Sequence, residues 1–402
     1  MYQSADSDEL NLTGGGELDD RKMTEEQRRA AAAENLAKRK AELRKKKKGR
    51  NKPLAILVIL GMILALVMAG LIINMVRERG IRAAKAAEEA EAAAQDIVIG
   101  LKGSEVQMVL EGDPYIENGA FAVDRNHGAI PEADIKVRGK VDTSKPGDYE
   151  VTYSAGKGKA KKSVTRTVRV AGEEEFGAKA ENVPVMMYHW VYTADDVPED
   201  LDGNWILDTT LDEQLTYLED EGFYYPGWKE LRAWVDGEIS IPAKCAVLTF
   251  DDGREPFLQY GVPLLEKHGI PATSFMICWE DNYGEEKIRE YASPYLDFES
   301  HTYAMHQKSE DPEHKGVDVL MTKEEIAADL KKAADMLGNN DAIAYPYGDY
   351  TDDFLEATRE QGILLGFTVE YERVRQGMDP LTLPRIRVLG DESFQIWKDS
   401  VS

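Results

Sequence analysis

Two carboxylates and two imidazoles lie near the ends of two strand-like segments, and groups of these types can bind a metal ion. Asp251 and Asp252 follow the apolar, β-prone residues 245–250 directly, and a glycine comes next. His301 and His306 follow a second strand-like segment. One carboxylate with two imidazoles suits a divalent metal that keeps open positions for water. The other carboxylate can then act as a base, so the pattern predicts a hydrolase.

The segments that must position these residues alternate between strand and helix patterns from residue 183 onward. Repeated β–α units predict a parallel sheet wrapped by helices, a (β/α) barrel or a distorted one. Active sites of such folds lie at the C-terminal ends of the strands, where the acidic pair, the two histidines, Pro346 and Tyr347 all fall. The predicted strands are 183–188, 245–250, 273–278, 296–299, 343–346 and 364–369, and the predicted helices are 211–222, 228–236, 257–268, 322–337 and 353–361.

The other four histidines differ in what their surroundings predict. His189 ends the first predicted strand, so it can face the metal from across the pocket; the alternative is a histidine packed beside aromatic residues. His127 lies in a turn and His314 in a charged loop, and both are expected to be solvated. His268 ends a helix, where a cation is favourable without any further role.

Three short motifs resemble successive motifs of the polysaccharide deacetylase family (NodB-homology, carbohydrate esterase family 4). They are TFDDG at residues 249–253, SHT at 300–302 followed by His306, and YPYG at 345–348. The resemblance extends over roughly residues 180–398. In that family the first Asp of the pair is the base, and the second Asp joins the two histidines on a divalent metal.

Matched to this sequence, the resemblance implies that Asp251 is the base and that Asp252, His301 and His306 bind the metal. Zinc suits this ligand set, and cobalt, manganese or nickel fit almost as well. The metal and the backbone N–H of Tyr347, after Pro346, would stabilise the oxyanion.

The sequence departs from the commonest pattern of the family in ways that resemble one subgroup, the membrane-associated and exported poly-N-acetylglucosamine deacetylases. The two histidines are five residues apart instead of four, and a late catalytic histidine is absent. In the subgroup an early Tyr-His pair supplies the acid, which implies His189 here. Ala344 stands where many members have an arginine that steadies the base, so Arg385 is the candidate support for Asp251. Trp190, Tyr303 and Tyr347 are candidates for stacking on sugar rings.

The residues before this region have a different sequence pattern. Apolar and polar residues alternate at 149–153 and 163–170, which predicts half-buried antiparallel strands. Several short strands in this region suggest a small β-sandwich. The segment 139–153 resembles bacterial Ig-like surface modules, which implies a spacer or an adhesion module and no chemistry.

Residues 53–76 carry no charge, and a run of about 20 such residues is long enough to cross a bilayer. Basic residues cluster directly before this run, which predicts a cytoplasmic N-terminus and an extracytoplasmic C-terminal part. The predicted order is a basic tail (1–52), a transmembrane helix (53–76), a helical stalk (77–95), an Ig-like β-sandwich (96–171), a linker (172–181) and the deacetylase domain (182–402).

The chain has 49 Lys and Arg against 74 Asp and Glu, a balance that argues against nucleic acid as a partner. Its two cysteines, Cys245 and Cys278, are expected at opposite ends of neighbouring strands, beyond the reach of a disulfide.

Together these observations predict a cell-membrane enzyme that removes N-acetyl groups from N-acetylglucosamine residues of a cell-envelope glycan. The motifs leave peptidoglycan and poly-N-acetylglucosamine both open. The alternatives are de-O-acetylation of another glycan and a degenerate domain that only binds glycan.

Overall fold

The computed structural model describes residues 24–50, 52–157, 160–310 and 315–402. The chain divides into two compact units, Met1–Lys85 and Ala86–Ser402. The prediction for His314 lies outside the described residues.

The described residues of the first unit lie almost entirely in two helices, α1 at Glu25–Arg50 and α2 at Lys52–Gln95, and α2 continues past the end of this unit. Within α2, the segment Ile56–Lys85 is long and apolar enough to cross a membrane, and it is the one helix with this property among the described residues. Its apolar side chains are exposed to the surroundings, as Leu57 is at 65%. Length and composition therefore agree with the predicted membrane span.

The second unit begins with two small sheets that enclose their own apolar core. One sheet has three strands in the order β1-β3-β4, and the other has four in the order β2-β7-β6-β5. Val151 and Tyr153 are buried while Glu150 is exposed, as the alternation predicts. The pair β6–β7 is antiparallel, but β2 pairs with β7 in parallel. The strands are β1 Ile97–Leu101, β2 Val106–Leu110, β3 Ala120–Asp124, β4 Gly128–Ile130, β5 Lys136–Arg138, β6 Gly147–Lys157 and β7 Ala160–Ala171.

A seven-stranded sheet with the order β15-β14-β13-β12-β11-β8-β16 forms the centre of the C-terminal region. Every neighbouring pair in it is parallel. This arrangement confirms the predicted α/β fold class, with a distorted (β/α) barrel after an Ig-like sandwich. The strands of this sheet are β8 Val185–Tyr188, β11 Val247–Asp252, β12 Ala272–Met276, β13 Leu296–Ser300, β14 Ala342–Ala344, β15 Leu365–Phe367 and β16 Ile386–Arg387. The strands β9 Trp190–Tyr192 and β10 Trp205–Leu207 form a separate two-stranded sheet.

Helix α8 of this region, Lys323–Leu337, begins and ends at typical capping residues. In α8, Thr322 and Glu325 form a reciprocal capping box, and Gly338 ends the helix with φ of 72°. The helices are α3 Glu173–Phe176, α4 Asp208–Asp220, α5 Trp228–Val235, α6 Val262–His268, α7 Gly284–Glu290, α8 Lys323–Leu337, α9 Asp352–Glu360 and α10 Phe394–Val401.

Two differences from the predicted elements affect the site. Strand β11 extends to Asp252, so the acidic pair closes the strand instead of following it. The two-residue strand β16 was not predicted, because so short a segment carries no period. It pairs with β8 at one edge of the sheet, and Arg385, directly before it, reaches Asp251 on β11. Cys245 and Cys278 are free and buried, as expected, and burial raises the pKa of Cys245 to about 12.

The Ig-like region packs closely against the barrel. Residues 172–181 include helix α3, whose Phe176 is buried against Leu110 and Ala171. Lys102, which follows β1, is buried and its Nζ lies 2.5 Å from the carboxylate of Asp341. The module is therefore more than a spacer, because it packs on the barrel.

Candidate active site

Asp251 is buried at the end of β11 and is held by one arginine. Its two carboxylate oxygens accept hydrogen bonds from Nη1 and Nη2 of Arg385, at 2.7 and 2.8 Å. Arg385 is itself buried, and its Nε donates to the carbonyl of Thr368 at 3.1 Å. Burial alone would raise the pKa of Asp251, but the charge and hydrogen bonds of Arg385 lower it. The carboxylate is therefore ionised and fixed in one orientation.

Asp252, His301 and His306 bring their potential ligand atoms to one place, all within 4.8 Å of one another. The Oδ1 of Asp252 lies 3.6 Å from Nε2 of His301 and 3.5 Å from Nε2 of His306. Ligands about 2.1 Å from a tetrahedral metal are about 3.4 Å apart, so these separations fit a divalent ion.

His301 is oriented by the backbone of the next strand in the sheet. Its Nδ1 lies 2.7 Å from the carbonyl oxygen of Ala344, to which it donates, so Nε2 is left facing Asp252 as a ligand. Ala344 thus contributes through its carbonyl at the position where the family resemblance expected an arginine. Sequence reasoning missed this contact because a backbone carbonyl carries no residue-type signal.

The electrostatics of the three ligands indicate a site that requires positive charge. Burial alone would raise the pKa of Asp252, yet the facing imidazoles lower it. Burial opposes a charge on His301, but its contact with Asp252 raises the pKa of the imidazole. Burial and the neighbouring His301 lower the pKa of His306 to about 4. A divalent cation would supply the charge that the carboxylates here attract.

Trp190 contacts the acidic pair. It is largely buried at the cavity wall, and its Nε1 donates to Oδ2 of Asp252 at 2.9 Å, which orients that carboxylate. Arg254 covers the indole, with its guanidinium carbon 3.8 Å from the ring centroid. Tyr303 is also buried, and sugar stacking by either ring stays a prediction.

His189, Pro346 and Tyr347 surround the same position. His189 and Tyr347 line one cavity of about 490 Å³ with Asp251, Asp252 and both metal-site histidines. The Nδ1 of His189 is buried and has no hydrogen-bond partner in the described part of the chain, while burial lowers its pKa. Pro346 begins the 3₁₀ turn Pro346–Gly348, and the Tyr347 ring lies 4.5 Å from that of His306.

Backbone strain is concentrated at this cavity. Asp252, Thr302 and Tyr347 have φ of 75°, 70° and 58°. In the described part of the chain, these are three of the four non-glycine residues with positive φ. Such conformations cost free energy and persist where the surroundings impose them, most often at functional sites.

Comparison with known families agrees with this geometry. Residues 239–366 match the family Polysaccharide deacetylase, and residues 99–170 match the family Bacterial surface protein, Ig-like domain. The chain carries a polysaccharide deacetylase domain. Both resemblances expected from the motifs are confirmed. The matched deacetylase segment includes the acidic pair and both metal-site histidines, whereas His189 and Arg385 lie outside it.

Two relatives of the deacetylase domain come from Staphylococcus aureus and Bacillus subtilis. Over 172 residues the chain is 32% identical to the poly-beta-1,6-N-acetyl-D-glucosamine N-deacetylase of Staphylococcus aureus (strain MRSA252), covering 39% of this chain and 58% of that protein. It is 27% identical over 246 residues to YxkH of Bacillus subtilis (strain 168), a protein named for polysaccharide deacetylation, covering 58% of this chain and 82% of the relative. The chain thus spans a little over half the length of the staphylococcal relative.

Solved structures include two similar chains. IcaB from Ammonifex degensii is 27% identical, with a TM-score of 0.45, covering 56% of this chain and 97% of that one. The Streptococcus pyogenes deacetylase PplD in complex with acetate is 24% identical, with a TM-score of 0.46, covering 55% and 98%.

Proposed function

We propose that this protein is a metal-dependent hydrolase that removes N-acetyl groups from N-acetylglucosamine residues of a cell-envelope polysaccharide, peptidoglycan or poly-N-acetylglucosamine, and releases acetate. One observation carries the proposal. An ionised Asp251, held by Arg385, faces the same cavity as an Asp-His-His donor set whose spacing fits a divalent metal. The staphylococcal relative, named as an N-deacetylase, supports N-acetyl over O-acetyl groups.

The donor set consists of one carboxylate oxygen from Asp252 and the Nε2 atoms of His301 and His306. Zinc is the favoured ion for these donors, and cobalt, manganese and nickel are the alternatives. When bound, such an ion makes water more acidic and polarises the carbonyl under attack.

The protein's own groups then transfer the protons. Asp251 takes the proton of the attacking water, since its low pKa keeps it ionised and Arg385 fixes its direction. His189, on the cavity wall, donates a proton to the leaving nitrogen, because an amine cannot leave as an anion. The backbone N–H of Tyr347 stabilises the oxyanion, and the turn that begins at Pro346 sets its direction.

We propose that the apolar helix anchors the chain in the cell membrane, with the basic tail (1–52) in the cytoplasm. The stalk (77–95), the Ig-like module (96–171), the linker (172–181) and the deacetylase domain (182–402) then lie outside.

The test is acetate release by the purified protein in detergent, stripped with a chelator and reloaded with zinc or cobalt. We expect release from N-acetylglucosamine oligomers that requires the metal, with a loss of at least about 100-fold in His189→Ala, whose metal content stays unchanged. Release only from O-acetylated oligomers would instead establish an O-deacetylase. No release from any glycan, despite bound metal, would leave a glycan-binding protein.

A further prediction concerns Arg385→Lys. Lysine keeps the charge but cannot donate two parallel hydrogen bonds, so we expect kcat to fall about 10- to 100-fold with unchanged metal content. The pKa of Asp251 should rise once its hydrogen bonds are lost, so the acid limb of the pH–rate profile moves to higher pH. Arg373→Lys, at a backbone-bound arginine remote from the cavity lining, is the control. An unchanged kcat and pH profile in Arg385→Lys would refute the positioning role.

A further inference from the structure

Four basic side chains line the cavity that holds the proposed catalytic residues. They come from three parts of the chain: Arg254 follows β11, Arg387 lies on β16, and Lys308 and Lys315 belong to the loop after β13. All four are exposed at the cavity wall. No sequence pattern indicated this grouping, because the residues are up to 133 positions apart.

The four basic groups have no acidic partners within the part of the chain that the structure describes. None of them forms an ion pair there, although the whole chain has a net charge of −25. Arg254 instead lies over the Trp190 ring, and Arg387 donates to the side-chain oxygen of Asn204. In so acidic a protein, a cavity with four unpaired basic groups is an unusual concentration of positive charge.

The backbone around the lysines is held in place. Lys308 and Gly316 form an antiparallel bridge, and the N–H of Gly316 donates to the carboxylate of Asp349 at 3.0 Å. The N–H of Lys315 donates to the same carboxylate. The Asp349 carboxylate thus accepts hydrogen bonds from backbone N–H groups, and the side chains of both lysines line the cavity.

The acidic residues of the cavity wall do not cancel this charge. Among the described residues they are Asp251 and Asp252, and the first is already paired with Arg385. Asp252 belongs to the metal-site cluster, where a divalent cation would more than neutralise it. The wall is therefore positive in the state that the proposed reaction requires.

We propose that Arg254, Lys308, Lys315 and Arg387 form a subsite for an anionic group, a carboxylate or a phosphate, carried by the glycan substrate near the acetamide. This inference rests on the proposed function and narrows its substrate class. Each deacetylation of poly-N-acetylglucosamine leaves a cationic amine, which the subsite repels as the polymer is processed. A glycan with acidic substituents, such as N-acetylmuramic acid units whose lactyl carboxylate is free, is attracted instead.

Binding measured apart from catalysis tests the subsite. The full chain in detergent, with zinc bound and carrying Asp251→Asn to prevent turnover, is titrated with three tetrasaccharides of equal length. One is the neutral N-acetylglucosamine tetramer, one alternates N-acetylglucosamine with N-acetylmuramic acid whose lactyl carboxylates are free, and one bears a phosphate ester. Calorimetry at 50 and 500 mM salt gives Kd, and the two anionic ligands separate carboxylate from phosphate recognition.

We expect at least one anionic tetrasaccharide to bind about tenfold or more tightly than the neutral one at 50 mM salt, with a smaller difference at 500 mM. Lys308→Gln with Lys315→Gln, and separately Arg387→Gln, should reduce that preference at least about threefold. The matched control is Lys161→Gln with Lys162→Gln, which removes two exposed charges from β7 of the Ig-like module.

Equal affinity for neutral and anionic ligands would overturn the proposal, and so would a preference that both cavity variants retain. Failure of the proposed function is a separate result. A chain with Asp251 intact that releases no acetate, while the charge preference persists, would refute the deacetylase but keep the anionic subsite.

Discussion

Replacing Asp251 by Asn is expected to lower kcat by about 10³-fold while the protein keeps its metal. The amide has the same shape as the carboxylate but cannot accept the proton of the attacking water, and a positioned base contributes roughly 10²- to 10⁴-fold. The Asp251→Asn change would also leave the buried Arg385 without its anionic partner, so some loss of stability should accompany the loss of activity. Metal analysis alongside acetate release separates these effects.

The neighbouring carboxylate provides the matched comparison. Asp252→Asn is expected to lower metal affinity by at least about 100-fold, because one of three protein ligands loses its charge. Activity should then return in part when excess metal is added, whereas Asp251→Asn should stay inactive at any metal concentration. If Asp251→Asn kept activity within tenfold of the parent, or lost its metal as Asp252→Asn does, the assigned roles would be wrong.

The second large effect concerns the junction between the Ig-like module and the barrel. Lys102 is buried, with its Nζ 2.5 Å from Asp341, 2.9 Å from Glu132 and 3.7 Å from Glu299. Lys102→Met removes the charge but keeps most of the volume. It leaves the buried Glu299 without its cation, whereas Glu132 and Asp341 keep Lys229. We expect a loss of about 3–5 kcal/mol in the free energy of unfolding.

The size of this loss should depend on pH. Burial raises the pKa of Asp297, beside Lys102, to about 7 from an ordinary value of 3.8, so this group takes up a proton on folding. The stability that this proton uptake contributes is present below about pH 4 and is lost as the pH rises through 7. Because the charge of Lys102 lowers the pKa of Asp297, removing Lys102 makes the loss of stability with rising pH larger. The Lys102→Met variant should therefore be destabilised more at pH 8 than at pH 5.

Tryptophan fluorescence during denaturant unfolding measures this effect. All six tryptophans lie at or beyond residue 190, so the signal reports on the barrel. The exposed Lys161→Met on β7 is the control and should leave the unfolding midpoint unchanged. If Lys102→Met had the same midpoint as the parent at pH 8, the junction would contribute little to the stability of the barrel.

The sequence was a good guide to the elements of the barrel. The predicted helix 322–337 is observed as α8, Lys323–Leu337, because its capping residues and apolar period are local properties. The predicted strand 296–299 is β13, Leu296–Ser300, for the same reason. The short β16 was missed because two residues contain no period, and its place depends on pairing with β8.

The sequence also predicted only part of the candidate site. Asp252, His301 and His306 were predicted as one cluster because strand ends of a parallel sheet meet at one edge, and the structure brings their ligand atoms within 4.8 Å. Trp190 was predicted as a sugar-stacking ring, whereas its burial and its hydrogen bond to Asp252 were not predicted. Which side of a ring faces solvent depends on packing against distant segments, and no local pattern encodes that.

By itself, the sequence predicted a metal-site hydrolase, its candidate residues and the order of the segments along the chain. The elements follow from residue types and short-range periods, which are properties of neighbouring positions, whereas the expected reaction and residue roles follow from the resemblance of three short motifs. Only the tertiary structure decided that Arg385 orients Asp251, that the carbonyl of Ala344 orients His301, that Lys102 joins the Ig-like module to the barrel, and that four basic residues share the candidate cavity. Each of these contacts joins groups far apart in the chain, and their free energies depend on distance, burial and direction that arise only when the sheet assembles.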